Sequence, residues 1–158
     1  MSQRGPVVNP ARGAAVTYAR RMADRPIPDA PDYVVLVVAD LDRALAFYTG
    51  TLGLELGHRS GPYAQLATGR TRLALYEREA MAATLGVDEL EEPDHDAPGF
   101  EIGFKVDDVD RVFDELVAAG AEPAVAPTDR PWGQRTAYLR DPDGHLVELA
   151  EQVEEPPG

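Results

Sequence analysis

A chain of 158 residues with 44% hydrophobic and 27% charged content is sized for one core or two small fused ones. The absence of cysteine excludes a disulfide framework, a thiolate metal site such as structural zinc, and a cysteine nucleophile. A net charge of −13 argues against a nucleic-acid partner and favours cations. No apolar run approaches the roughly 20 residues that span a bilayer, and none near the N-terminus resembles a signal peptide, so the expectation is a cytoplasmic protein without a membrane partner.

Residues 1–32 set five arginines against Asp24, Asp29 and Asp32, a local charge of +2 that leaves −15 for the remainder. With five prolines and little periodicity beyond a short helix over Ala14 to Ala23, they read as a mobile N-terminal extension. The pattern sharpens at Tyr33-Val-Val-Leu-Val-Val38, a β-branched run of strand length that ends at Asp40, a good helix N-cap. Leu41, Ala44, Leu45, Tyr48 and Leu52 then recur at helical spacing, and Gly53 marks the stop. Three short extended segments follow, Leu54 to His58, Tyr63 to Thr68 and Thr71 to Tyr76, giving one βαβββ unit.

The same order returns 68 residues later. Val38-Ala-Asp40-Leu-Asp42-Arg43 matches Val106-Asp-Asp108-Val-Asp110-Arg111, cap aspartate included. Val109, Val112, Phe113 and Leu116 form the second helix face, which Gly120 ends. Pro123 to Ala126, Thr136 to Leu139 and Leu146 to Ala150 are the strands of the second unit. Between the units, Arg78 to Leu85 reads as a linker helix, and Asp88 to Asp96, with six acids and no lysine or arginine, as a solvated loop. Asp141-Pro-Asp-Gly144 joins the last two strands: proline presets φ for a tight turn and Gly144 tolerates the positive φ that closes it. Glu148 then stands among apolar residues of the final strand. It faces either solvent on a one-sided sheet or a functional cavity.

Two βαβββ units opening on strand-Asp-(Leu/Val)-Asp-Arg, with a closing Asp-Pro-Asp-Gly-x-Leu-Val-Glu-Leu hairpin, resemble the vicinal oxygen chelate superfamily of glyoxalases, bleomycin-resistance proteins and extradiol dioxygenases. The resemblance implies an α+β fold of two tandem βαβββ modules forming a curved mixed sheet around a cavity. Module one spans 33–78, a linker 79–99, and module two 100–151, with 152–158 as a tail. It places metal ligands on the first and last strands of the modules. In the superfamily's metal enzymes the first-strand ligand, commonly His or Gln, stands seven residues before the cap aspartate; Tyr33 and Glu101 hold those places here. The last-strand ligand corresponds to Glu148. Aligning Leu73-Ala74-Leu75-Tyr76 with Leu146-Val147-Glu148-Leu149 makes Leu75 its counterpart in module one. The set lacks the imidazole that iron, nickel or zinc in this fold normally includes. No cofactor is therefore expected, the alternative being a hard divalent metal held by Glu101 and Glu148. His58, His95 and His145 read as surface or turn residues, His145 standing where the superfamily usually places Asn.

Strand alternation sets Tyr33, Val35 and Val37 on the inward face of module one, and Glu101, Gly103 and Lys105 on that of module two. With Leu73 and Leu75 added, the expected cavity is apolar with two acids and a lysine, suited to an organic ligand of amphipathic, cationic or aromatic character. Repulsion between the two carboxylates would raise one of them, unless Lys105 pairs with Glu101 and silences it. Arg130-Pro131-Trp132-Gly133-Gln134-Arg135 resembles a segment of bleomycin-resistance proteins, which sequester cationic drugs at a dimer interface without chemistry. Trp132 is accordingly either a rim residue that stacks on ligand or ordinary packing.

The sequence thus points to a small-molecule binder, drug- or metabolite-sequestering and associated with antibiotic resistance, that works as a homodimer. Its expected ligand-binding residues are Tyr33, Val35, Leu75, Glu101, Lys105, Trp132 and Glu148. The alternative is a metal-dependent lyase, isomerase or dioxygenase of glyoxalase type using Glu101 and Glu148, and a structural or regulatory module is a third reading.

Overall fold

In the computed structural model, which describes residues 31, 33–94, 96 and 98–153, the β-branched run forms β1 (Tyr33–Val38). The expected N-terminal extension, Pro31 apart, His95 and the last residues of the tail lie outside the described residues. Asp40 caps α1 (Leu41–Leu45) by accepting from the Arg43 amide at 2.8 Å. The helix then widens into a π-helical segment, Ala46–Thr51, where the Leu52 amide reaches back to the Phe47 carbonyl at 2.9 Å. Strands β2 (Leu56–Ser60), β3 (Tyr63–Leu66) and β4 (Arg72–Glu77) complete the first module. The linker helix α2 (Arg78–Leu85) has the expected bounds and stops at Gly86, whose φ of +71° favours glycine.

The second module repeats the plan with β5 (Glu101–Lys105), α3 (Val109–Ala118), β6 (Glu122–Asp129), β7 (Gln134–Arg140) and β8 (Leu146–Gln152). Asp108 caps α3 by accepting from the Arg111 amide at 2.9 Å, the structural image of Asp40. Strand ends differ from those expected by up to three residues. The strands form two four-stranded mixed sheets, ordered β1-β4-β3-β2 and β5-β8-β7-β6, with parallel pairing only between β1 and β4 and between β5 and β8. Among the described residues, no helix is long and apolar enough to cross a membrane.

Each sheet turns one face to its helix. Leu36, Val38, Leu66, Leu73 and Leu75 on that side of the first sheet join Leu139, Val147 and Leu149 of the second, with Val109 and Phe113 of α3, in one continuous core. Alternation leaves Tyr33, Val35 and Val37, and likewise Glu101, Gly103 and Lys105, on the opposite faces, as the sequence indicates. Leu73 and Leu75 are the correction. Both are buried in the core, because β1 pairs with β4 through Val34↔Leu73 and Leu36↔Leu75 and places Ala74, beside Val35, on the opposite face. The counterpart of Glu148 is therefore Ala74: Tyr33 pairs with Arg72 as Glu101 pairs with Leu146, so the sequence alignment was one residue out of register. In a strand a shift of one exchanges the two faces.

The modules are tied by the Asp141-Pro-Asp-Gly turn. Gly144 adopts a φ of +85° and closes it by donating to the Asp141 carbonyl at 2.9 Å. Asp141 is buried; its Oδ1 accepts from the Asp143 and His145 amides at 2.9 and 2.8 Å, and its Oδ2 accepts from the Tyr48 hydroxyl of module one at 2.8 Å. The same Oδ2 lies 2.7 Å from His145 Nδ1. Asp143, also buried, accepts from the Ala39 amide at 2.7 Å, with the Arg43 and Arg78 guanidinium groups at 3.6 and 3.7 Å from the same oxygen. Burial resists ionisation of Asp141, but the hydrogen bonds and charge of His145, with the Tyr48 bond, outweigh it and hold the carboxyl below its ordinary value.

Tyr48→Phe keeps the ring and removes one bond to a buried carboxylate, so chemical denaturation should report a loss of about 1–3 kcal/mol. A carboxyl whose folded-state pKa is depressed stabilises the fold above its unfolded-state value, near 3.8, and ceases to do so as pH falls through the lower folded-state value. Stability measured between pH 5 and pH 2, a range of about three units around the ordinary aspartate pKa, should fall more steeply in the wild type than in Asp141→Asn.

Candidate functional site

The register of the second sheet assembles the candidate site. Gly103 on β5, Glu148 on β8 and Tyr138 on β7 stand side by side; Glu101, Leu146 and Arg140 form the row on one flank, and Lys105, Ala150 and Thr136 the row on the other. Paired residues in adjacent strands present their side chains to the same face, so all nine share it. Gly103 is the floor. A Cβ built there would come within 2.9 Å of Glu148 Oε2, so the carboxylate lies over the glycine in space that no other residue would leave. The Tyr138 hydroxyl donates to Glu148 Oε1 at 3.1 Å and fixes the carboxylate from the other side.

The electrostatics follow from this crowding. Partial burial, and then the Glu148 charge, push the Glu101 carboxyl above its ordinary value. Burial, then the Glu148 hydrogen bond and charge, push the Tyr138 phenol up as well. Lys105 does not silence Glu101: among the described residues the two form no ion pair, and Lys105 is not among the causes of the Glu101 shift. Besides Lys105 and Arg140, a third cation shares the face. Arg130 Nε donates to Thr136 Oγ1 at 2.7 Å, and its guanidinium lies 5.8 Å from the centre of the Tyr138 ring. Trp132 occupies the β6–β7 turn, where Gly133 has a φ of +86°, and is half exposed with its indole N–H donating to Gln134 Oε1 at 2.9 Å. It is therefore not part of the core. Arg135 of the same motif points to the other side of the sheet, where it pairs with Asp110 of α3 at 2.6 and 2.8 Å.

The structure thus brings together Glu101, Lys105, Glu148 and, at the edge, Trp132. Tyr33 and Val35 are exposed on the face of the first sheet instead; the Tyr33 ring lies 4.8 Å beneath the Arg72 guanidinium, whose Nη1 donates to its hydroxyl at 2.9 Å. Leu75 belongs to neither face. Sequence reasoning did not single out Tyr138 or Arg130, and it placed Gly103 on this face without its contact with Glu148. Tyr138 was within reach, since a turn from Asp141 to His145 pairs Arg140 with Leu146 and hence Tyr138 with Glu148. His58 is exposed on β2, and His145 is buried in the turn.

The ligand positions do not present the imidazole-containing set that iron, nickel or zinc takes. Tyr33, Ala74, Glu101 and Glu148 offer two carboxylates, a phenol engaged by Arg72, and a methyl group. Among the described residues no three His, Cys, Asp or Glu side chains converge on one point.

A family model described as Glyoxalase/Bleomycin resistance protein/Dioxygenase superfamily matches residues 30–149. The chain belongs to this superfamily. Among its relatives is the uncharacterized protein YraH of Bacillus subtilis, 34% identical over 117 residues that cover 72% of this chain and 91% of that protein. A superfamily member from Nocardioides has a crystal structure similar to this one with a TM-score of 0.74 at 28% identity, covering 92% of this chain and 98% of that one. TnmS3, an antibiotic binding protein from Streptomyces, is similar with a TM-score of 0.59 at 25% identity over 81% of this chain and 98% of its own.

Gly103→Ala tests how the superfamily fold seats its acid here. The added methyl group meets the mobile end of Glu148 rather than backbone, so the protein should remain folded while Glu148 leaves Tyr138. Titration of Tyr138 followed by ultraviolet difference spectroscopy should then move toward the ordinary tyrosine value.

Proposed function

We propose that this chain is a metal-independent small-molecule-binding protein that holds an amphipathic organic ligand on the face of the second sheet, in the manner of a sequestering protein. The observation that carries this reading is the fixed Glu148 carboxylate, set over Gly103 and bonded by Tyr138, beside the coupled Glu101. Such a pair selects a cationic group, since opposite charges attract more strongly near a protein surface than in bulk water. Arg130 and Lys105 on the same face favour a ligand whose remaining polar groups are neutral or acidic. The likeness to TnmS3 supports binding as a use for this fold. Glu101, Gly103 and Lys105 are exposed in the single chain, and β1 and β5 are sheet edges, so in this reading a second copy of the chain covers the face. The donor set described above counts against the alternative, a metal-dependent enzyme of glyoxalase or dioxygenase type.

The test is a fluorescence titration of Trp132 with amine-bearing aromatic compounds and their neutral and anionic analogues. The amines should bind best, and Glu148→Gln, which keeps the shape and removes the charge, should weaken them roughly tenfold or more. Because the Glu101 carboxyl is raised, amine affinity should begin to fall at a pH above the ordinary glutamate value of 4.5, as protonation removes the negative charge. Equal affinity for all three classes would sink the proposal. Stoichiometric iron, nickel or zinc in purified protein, lost on Glu148→Gln, would install the enzyme reading in its place, and a monomeric mass at micromolar concentration would remove the covering copy.

A further inference from the structure

Two cations of the second-sheet face lack an acidic partner. Arg130 is half-buried, and its guanidinium is located by two contacts: Nε donates to Thr136 Oγ1 at 2.7 Å, and the central carbon lies 5.8 Å from the centre of the Tyr138 ring. Thr136 and Tyr138 both project from this face, so the guanidinium lies on it as well. Arg43, Arg78, Arg111 and Arg135 each meet a carboxylate. Among the described residues none pairs with Arg130 or Lys105, although the chain has 28 acids against 15 lysines and arginines. The lack is one of placement, not of supply. Neither Nη of Arg130 has a partner among the described residues, and neither is among their sealed polar atoms, so both are open to a ligand. With Nε engaged, the end that remains is the pair of Nη groups, which can take a carboxylate through two parallel bonds.

The register decides where an acid can lie. Thr136, Ala150 and Lys105 form one row, so Arg130 stands at one end of it and Lys105 at the other, with only the methyl group of Ala150 between. That row holds no acid. The row on the other flank of Glu148 includes Glu101, and its cation, Arg140, already donates to the Gly144 carbonyl at 3.2 Å, so an anion there would meet repulsion. Glu151, the neighbour of Ala150, is turned to the helix side, where its Oε2 accepts from the Val109 amide of α3 at 3.0 Å. We propose that Arg130 and Lys105 form an acid-binding subsite over Ala150, and that the ligand of this face is a zwitterion with its amine at Glu148 and a carboxylate at Arg130. The proposal rests on the amine-selecting role given to Glu148 above and adds the opposite pole. Ala150 lies two residues beyond Glu148 on β8, which sets the poles about 7 Å apart. A benzene ring carrying an aminomethyl group at one end and a carboxylate at the other has that span.

The probes are 4-(aminomethyl)benzoate and 4-(aminomethyl)benzamide, which share the ring and the amine and differ in the charge at the other pole. Their affinities for the full-length protein are measured by calorimetry at neutral pH. The benzoate should bind at least about tenfold more tightly, the ratio expected for hydrogen bonds between charged groups. Arg130→Gln should lower that preference several-fold, and Arg130→Lys, which keeps the charge and loses the planar fork, should retain part of it. Replacing both Arg130 and Lys105 by Gln should bring the preference to about one, since no cation of that row remains. Glu148→Gln should weaken both probes and leave their ratio unchanged. Equal binding of the two probes to the wild type, both weakened by Glu148→Gln, overturns the acid subsite while the amine site stands, and it does so without recourse to an Arg130 variant. A preference for the benzoate that survives the double replacement also overturns the subsite. Failure of both probes to bind removes the amine site and the zwitterion together.

Discussion

Two aspartates in one tight turn hold the molecule together. A carboxylate withdrawn from water must be surrounded by donors, and truncating any one of them leaves a charge stranded. The donors for Asp141 and Asp143 come from their own turn and from four residues of the other module: the Tyr48 hydroxyl, the Ala39 amide and the Arg43 and Arg78 guanidinium groups. The turn can be satisfied in one relative placement of the two modules. That placement in turn sets the start of β8, and with it the rows in which Glu148, Tyr138 and Gly103 meet. Asp143 Oδ2, without a partner among the described residues, is the one incomplete place in this network.

Much of the fold was legible in the sequence because local signals and the repeat agreed. The first helix of each module has an aspartate that caps it, each inter-strand turn has its glycine or proline, and the 68-residue spacing aligned one unit on the other. Legibility failed where the pattern had no phase. β4 is apolar on both sides at Leu73-Ala74-Leu75, so nothing in it shows which residues face the helix, and matching leucines to leucines put Leu75 in the place of Ala74. β8 is different: a charge at Glu148 marks its open face, and there the sequence reading and the structure agree. Arg130 and Tyr138 escaped notice for another reason. Their roles arise from a neighbouring strand and a hairpin loop, so only the register, not the composition of either segment, brings them to Glu148.

The repeat is also less symmetrical than its sequence suggests. Val35 of the first module stands where the second has Gly103, Ala74 where it has Glu148, and Val37 where it has Lys105. The first sheet therefore offers a largely aliphatic strand edge beside its tyrosines, while the charged groups are gathered on the second. The helices differ in the opposite sense. Tyr48, on the π-helical segment that has no equivalent in α3, corresponds by the same spacing to Leu116, a plain apolar residue. One half supplies the socket and the other supplies the polar chemistry, so neither is a spare copy of its twin.

The tie between modules is also remote in sequence. Tyr48 and Asp141 are 93 residues apart, and Ala39 and Asp143 are 104 apart. On the ribosome, at roughly 5–20 residues per second, the first module waits on the order of ten seconds after Tyr48 is made before its partner carboxylates exist. Throughout that interval the Tyr48 hydroxyl and the Ala39 amide lack the acceptors they have in the finished protein, and a chain cut anywhere before Asp141 never acquires them. Completion of the fold is thus deferred until Asp141 and Asp143 have been made, and the nascent first module is a surface that chaperones and proteases meet before the second can cover it.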